Sequence, residues 1–339
     1  MRIAQVATVC TPVRRDGAGS VETIVWLLTQ ELVRQGHEVT VFAAAGSETA
    51  GELVATLPGP YGQAGSPIDW QLCEWINLCR AVEQSDRFDV LHCHAYLWGL
   101  PLQRLARAPM VHTLHVLPGD DMAQLWRMVP GACVTAISRY QWSAFPDLCP
   151  AAVIHHGVDP AQFTFRPQSE DYLLYLGRFT ADKGPLVAVA AARALGIRLL
   201  LAGPPSPYFR EQVAPLVDGR SVEYVGFVTG AERDRLLGGA QALLYPVQYP
   251  EPFGLVLAEA MMCGTPVVAL HLGAVPELVD EGITGYSAAS MDEFIRQVPR
   301  SFELDRSRIR RQAEARFTAE RMARQYVQVY RRLLEQWRD

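Results

Sequence analysis

The sequence predicts two doubly wound α/β domains joined in series, and three observations carry that prediction. The chain has 339 residues, too long for one comfortable core. Short apolar runs of strand length alternate with helix-length periodic segments almost from end to end. One polar, proline-bearing interruption, PAQFTFRPQSED at 160–171, is followed by a restart of the same alternation. Alternation of this kind means parallel sheet covered by helices on both faces, with ligand expected at the C-terminal ends of the strands.

In chain order, RIAQVAT, HEVTVFA, FDVLHCH, MVHTLH, ACVTAIS and AAVIHH read as strands of the first domain. The clearest helix there spans 21–35 and is closed by Gly36. PGPYGQAGSP at 58–67 is a loop. After the linker, DYLLYLGR, IRLLLAG, VEYVGFV, ALLYPV and PVVAL are strands of the second domain. The segment from Thr318 carries Met322, Tyr326, Val329, Tyr330, Leu333 and Trp337 at helical spacing, a stripe that must be buried.

Composition excludes several classes. The hydrophobic fraction of 49% and charged fraction of 20% are ordinary for a globular protein. No apolar run approaches the ~18 residues of a membrane span, and MRIAQVATVC enters a strand pattern directly, without a signal-peptide pattern. Seven scattered cysteines without a C-x-x-C pair predict reduced thiols and a cytoplasmic protein. Net charge is −5, with 10 basic against 15 acidic residues through Phe165, so nucleic acid is not an expected partner. The segment 68–84 carries Asp69, Glu74 and Glu83 against only Arg80, the wrong balance for docking on an anionic membrane. The chain's single lysine is Lys183, a compact point charge in a chain otherwise using arginine.

The stretch 251–268, EPFGLVLAEAMMCGTPVV, carries the most chemistry. Pro252 suits a first turn and Gly264 with Pro266 an end, predicting a helix over 253–263 directly after a strand. Such a helix aims free N–H groups at an anion. Glu251 would stand beside that anion and Glu259 further along the same side; carboxylates there suit hydroxyls, and phosphate next to hydroxyls means a sugar nucleotide. Acidic residues near a helix start also occur for capping alone. In LGRFTADKG, Arg178 and Lys183 follow a strand, where two cations neutralise a pyrophosphate or merely stay solvated. Gly17 and Gly19 precede a helix read as capped by Ser20, a loop able to bring N–H groups to an anion or simply a turn. Seven of the eight histidines lie near strand ends: His92, His94, His112, His115, His155, His156 and His271. Polar lining of a site and metal ligation are both open to them, but H-x-H has no companion carboxylate nearby, so no metal is expected.

GRFTADKG, EPFGLVLAEAMMCGTPVVA and GAVPELVDEGITG, in that order, resemble the retaining nucleotide-sugar glycosyltransferases of family 4, which have the GT-B fold. The E-x7-E element from Glu251 to Glu259 is that family's signature. Weaker similarity, in GAGSVE, the histidine-bearing strands, Ser138 in TAISRY and VIHHGVD, extends over nearly the whole chain. The resemblance implies an acceptor-side domain at 1–165, to which a last helix at 321–339 crosses back, and a donor-binding domain at 166–320. It implies that Arg178 and Lys183 hold the donor pyrophosphate and that Glu251 contacts the transferred sugar. Phe253, Gly254 and Leu255 would offer backbone N–H groups, and Glu259 would grip the ribose. His115 would lie by the donor sugar, Gly17 and Gly19 near phosphate and acceptor, and Gly203 and Phe227 around the base. His94, Ser138 and His156 fall on the acceptor side. Three departures stand out: Ser20 and Ala274 replace glycines, and His156 stands where Asn is common before Gly157.

The leading expectation is an enzyme moving a hexose from a nucleoside diphosphate sugar, UDP-linked before GDP-linked, onto a hydroxyl of a small soluble acceptor. Retention of configuration, no cofactor and no metal go with it. A sugar-nucleotide epimerase and a non-catalytic nucleotide-sugar binding protein are the alternatives. Base, sugar, acceptor and oligomeric state stay open.

Overall fold

The structure, a computed structural model, describes residues 1–15, 17, 19–62 and 68–338. Part of the loop expected at 58–67 therefore lies outside the described residues. The chain divides into two compact units, Met1–Gly157 with Ala319–Asp339, and Val158–Thr318.

The first unit carries strands β1 (Arg2–Val6), β2 (Glu38–Ala44), β3 (Glu52–Leu57), β4 (Val90–Cys93), β5 (Met110–Thr113), β6 (Cys133–Ala136) and β7 (Ala152–Val153). They form one parallel sheet in the order β3-β2-β1-β4-β5-β6-β7. Helices α1 (Ser20–Arg34), α2 (Trp70–Glu83) and α3 (Asp120–Arg127) belong to this unit. The second unit carries β8 (Leu173–Leu176), β9 (Leu199–Ala202), β10 (Val222–Gly226), β11 (Ala242–Tyr245), β12 (Val267–Leu270) and β13 (Gly285–Ala288). These too are all parallel, in the order β10-β9-β8-β11-β12-β13. Its helices are α4 (Pro185–Leu195), α5 (Gly230–Gly239), α6 (Leu255–Met262), α7 (Val275–Leu278), α8 (Met291–Ser301) and α9 (Arg306–Arg316). Chain order reverses between β1 and β4 in one sheet and between β8 and β11 in the other. Those reversals are the switch points at which open α/β sheets receive ligand.

The stripe on the last helix, α10 (Ala319–Arg338), finds its partner within the first unit. Met322, Tyr326, Val329 and Tyr330 are all no more than 2% exposed, and Tyr330 reaches the hydrogen-bonding distance of Gln5 and His92. Trp337, counted in the stripe, is instead 53% exposed, because the buried face ends a turn earlier.

The polar segment 160–171 is not a free tether. Arg306 donates to the carbonyls of Arg166, Ala240 and Gly238, and Arg310 to that of Phe163. Thr164 N–H donates to Asp234. Two guanidiniums thus solvate backbone carbonyls that a loop would otherwise expose, and the segment joins the second unit from Val158 onward. Burial pushes the Arg306 pKa down to about 10, which still leaves it charged.

Two further differences from expectation are local. The N-cap of α1 is Gly19, with Ser20 its first helical residue. A Cβ on Gly19 would fall 2.0 Å from Glu22 Oε2, so glycine there makes room for a carboxylate. Glu22 Oε1 accepts from the Thr11 N–H. Glu74, counted among the surface charges of 68–84, is fully buried, and its Oε1 accepts from the Val9 N–H. The side of α2 left exposed carries Trp70, Leu72, Trp75 and Ile76. No helix among the described residues is long and apolar enough to cross a membrane.

Candidate active site

In the second unit the loop after β8 and the loop after β11 meet at the switch point. Gly184 has φ +68°, and a Cβ there would lie 2.1 Å from the Pro246 carbonyl oxygen. Glycine lets the two loops touch. The Gln248 N–H then donates to the Asp182 carbonyl at 2.8 Å. This clamp carries Lys183 to Glu251: Lys183 Nζ donates to Glu251 Oε1 and, at 3.0 Å, to Tyr249 Oη, while Tyr249 Oη donates to the same Glu251 oxygen. The two charged side chains are 13% and 14% exposed.

The backbone of Glu251 is held from the other side. Gly273 has φ +59°, and a Cβ there would lie 2.4 Å from the Glu251 carbonyl oxygen, which accepts from the Ala274 N–H at 2.9 Å. Ala274 itself sits at φ −80°, so alanine in place of a family glycine is unstrained.

The helix after Glu251 starts at Leu255, two residues later than expected, because Gly254 takes the left-handed φ of +100° as its N-cap. Among the described residues no side-chain cap is made at this N-terminus, whose N-cap is a glycine. Phe253 is 3% exposed, with its ring edge-on to Phe317. Glu259 is 7% exposed, and Arg233 Nε and Nη2 both donate to its Oε2. Arg178 is exposed, and among the described residues no carboxylate pairs with it. A Cβ on Gly203 would sit 2.0 Å from the Gly177 carbonyl, which places Gly203 against the residue preceding Arg178. Phe227, after β10, is 53% exposed.

The structure thus brings Lys183 and Glu251 together, with Glu259 on the helix between β11 and β12. It adds Tyr249 and Arg233, which sequence reasoning missed. Tyr249 stands two residues before Glu251, a signal of sorts; Arg233 gives none.

In the first unit the switch point between β1 and β4 holds the histidines. His94 Nε2 lies 2.7 Å from Gln5 Oε1, its Nδ1 3.0 Å from His115 Nε2, and His115 Nδ1 3.4 Å from His156 Nε2. His92, two residues from His94 on the same strand face, is fully buried between Tyr330 and Thr113. His112 points to the other face, fully buried, where a Cβ on Gly99 would touch its ring. Burial holds all five rings neutral, with the His112 and His115 pKa values pushed down to about 3 and those of His92, His94 and His156 driven well below the usual imidazole range. Of the other strand-end histidines, His271 is exposed and bonds Ser287. Ser138 is fully buried and its Oγ accepts from the Gln141 N–H, a turn cap. Gly17 meets only ordinary contacts. Among the described residues no group of three or more His, Cys, Asp and Glu side chains is arranged to hold a metal ion.

Two parallel doubly wound sheets, each with its switch point dressed by polar side chains, and a last helix returned to the first unit define a GT-B glycosyltransferase. The likeness to known proteins is specific. Residues 161–316 match the model of Glycosyl transferases group 1, and residues 21–162 that of Glycosyltransferase Family 4. The chain belongs to this glycosyltransferase family. It is 29% identical, over 84% of its length and 79% of the relative's, to a D-inositol 3-phosphate glycosyltransferase of Mycolicibacterium smegmatis. Among solved structures it resembles AviGT4, a glycosyltransferase involved in avilamycin A biosynthesis, at 27% identity and a TM-score of 0.74, covering 99% of this chain and 98% of that one. The fold also matches that of Anabaena Alr3699/HepE, solved with UDP-glucose, at 21% identity, a TM-score of 0.72 and 99% coverage of both chains.

Proposed function

We propose that this chain transfers a hexose from a nucleoside diphosphate sugar, a UDP-sugar in preference to a GDP-sugar, to a hydroxyl of a small acceptor. The anomeric configuration is retained and no metal ion takes part. The observation that supports this reading is the meeting of Lys183, Tyr249 and Glu251 at a switch point, ahead of an uncapped helix N-terminus.

Lys183 and Glu251 neutralise each other. A donor pyrophosphate competes for Lys183 and joins Arg178, which releases Glu251 to accept from sugar hydroxyls. The acceptor oxygen then bonds to the anomeric carbon as the bond from that carbon to the diphosphate breaks. The acceptor's proton passes to the departing phosphate on the same face, and the cations stabilise the charge gathering there. His115 and Glu259 take the sugar and ribose hydroxyls. Phe253, Gly254 and Leu255 supply N–H groups, and Gly203 and Phe227 border the base. HepE, with UDP-glucose in the same fold, is compatible with that donor class. The relatives reported above carry transferase names, which leaves an epimerase without support. The seven cysteines, none of them disulfide-bonded, suit a reducing compartment such as the cytoplasm.

Lys183→Ala and Glu251→Gln each lower transfer by about 10²–10³-fold, the ~2–4 kcal/mol of one charged contact in a dry site, while the melting profile stays cooperative. Steady-state transfer from UDP-glucose and GDP-sugars checks this, and near-parental turnover in Lys183→Ala sinks the clamp. Donor binding without turnover in the parent chain would instead favour a binding protein. Transfer is also unchanged by a chelator, because Lys183, Arg178 and the helix terminus do the neutralising; loss restored by added divalent ion overturns that.

A further inference from the structure

Six buried polar groups of the first unit, with His115 at their end, form one chain of hydrogen bonds whose direction is fixed at its far terminus. Gln5, His92, His94, Thr113, Thr135 and Tyr330 are all no more than 2% exposed. Thr135 Oγ1 donates to the His112 carbonyl at 3.4 Å, an oxygen that can only accept. Its one proton spent, Thr135 accepts from Thr113 Oγ1 at 2.6 Å. Thr113, having donated, accepts from His92 Nε2–H at 2.7 Å, and its other lone pair faces Tyr326 Oη at 3.2 Å.

A neutral imidazole has one N–H and one lone pair, so the sense propagates. His92 Nδ1 accepts from Tyr330 Oη–H at 2.7 Å. Tyr330 Oη accepts from Gln5 Nε2–H at 3.4 Å, which turns Gln5 Oε1 to His94 and accepts its Nε2–H at 2.7 Å. His94 Nδ1 then accepts from His115 Nε2–H at 3.0 Å. The His94 and His115 ring centroids are 5.2 Å apart with planes inclined by 30°, the end-to-end arrangement such a bond requires. His115 is left with its lone pair on Nδ1, facing His156 Nε2 across 3.4 Å.

We propose that this chain makes His115 a hydrogen-bond acceptor at Nδ1, taking its bond from a sugar hydroxyl, and that Thr135, Tyr330 and Gln5 are positioning residues for it. The step rests on the reading that His115 lies beside the donor sugar. The contact to His156 is longer than that to His94, and it is the one a substrate hydroxyl replaces. A sugar whose group at that point cannot donate, a deoxy or O-methyl position, is then selected against.

The opposite sense, with Nδ1–H on His94 and His115, is open once the terminal hydroxyl is removed. The test is nitrogen-15 NMR of the His115 side chain in the full chain, with transfer measured in parallel. Thr135→Val keeps the shape and removes the hydroxyl, and Thr135→Ser keeps the hydroxyl. The parent and Thr135→Ser show the Nε2–H tautomer of His115. Thr135→Val shows a mixture of tautomers, and its kcat falls about tenfold, the size of one hydrogen bond, with Thr135→Ser near parental. Tyr330→Phe, which keeps the ring, serves as the second break should Thr135→Val fail to fold. An unchanged tautomer in both breaking variants overturns the chain of bonds. A mixed tautomer with unchanged transfer overturns the part given to His115 in the reaction and leaves the network standing.

Discussion

Deleting residues from Arg321 onward unfolds the first unit. The removed helix carries Met322, Tyr326, Val329 and Tyr330, each at most 2% exposed. Truncating one buried residue of that size costs about 2–5 kcal/mol, so four together, at about 8–20 kcal/mol, are as large as the roughly 5–15 kcal/mol that holds a whole domain. The loss is polar as well as apolar. Tyr330 bonds Gln5 and His92, and Tyr326 lies 3.2 Å from Thr113, so the deletion strands buried donors and acceptors in the sheet. The second unit, Val158–Thr318, ends before the helix begins and keeps its own core around Phe179, Leu199 and Phe294. Calorimetry therefore shows the transition of the first unit lost and that of the second retained. A truncated chain with the parental profile would make the helix a dispensable tail. Single substitution makes the same point more gently: Tyr330→Ala removes about 3–5 kcal/mol.

That helix was legible in the sequence because its stripe is periodic and long. Motif spacing was equally informative: Glu251, Glu259, Lys183 and the glycines around them show in the letters because each meets a local backbone demand. Gly184, Gly254 and Gly273 take positive φ in the loops around Lys183 and Glu251. What sequence could not show is pairing between distant segments. Gln5 reads as one polar residue in a strand, and nothing in RIAQVAT says that its partner stands 325 residues away. Glu74 reads as a surface charge on an amphipathic helix, yet it turns inward to hold the Val9 N–H. The strands β3 and β13 were missed for another reason. Both are edge strands, paired on one side only, and their short runs lack the continuous apolar signature of strands covered on both faces. The compact second unit begins at Val158, and the carbonyls of Phe163 and Arg166 in its polar entry segment accept from arginines more than a hundred residues downstream, a pairing no local pattern announces.

Those pairings make the first unit sensitive to acid. His92, His94, His112 and His156 are between 0% and 7% exposed and held neutral by burial, with folded pKa values below the ordinary 6.5. A group whose folded pKa is depressed gives stability that is present above its unfolded pKa and lost as pH falls below it, since the unfolded chain binds the proton first. From pH 7.5 to 5.5 each such ring loses about 1.4 kcal/mol. Glu74 acts the other way. Burial raises its pKa from 4.5 to about 7, so its contribution is full below 4.5 and fades as pH rises through 7. Over the same window it returns about 2 kcal/mol, and Glu22, also raised by burial, adds in the same direction. These four histidines, with His115 as a fifth, outweigh the carboxyls, so stability falls from pH 7.5 to 5.5 and the first unit unfolds before the second. Urea titrations at the two pH values, followed by tryptophan fluorescence, all seven indoles lying in the first unit, measure it directly. Equal midpoints at pH 7.5 and 5.5 would mean that the rings are already charged when folded, and the neutral hydrogen-bond chain through His92 and His94 would fall with them.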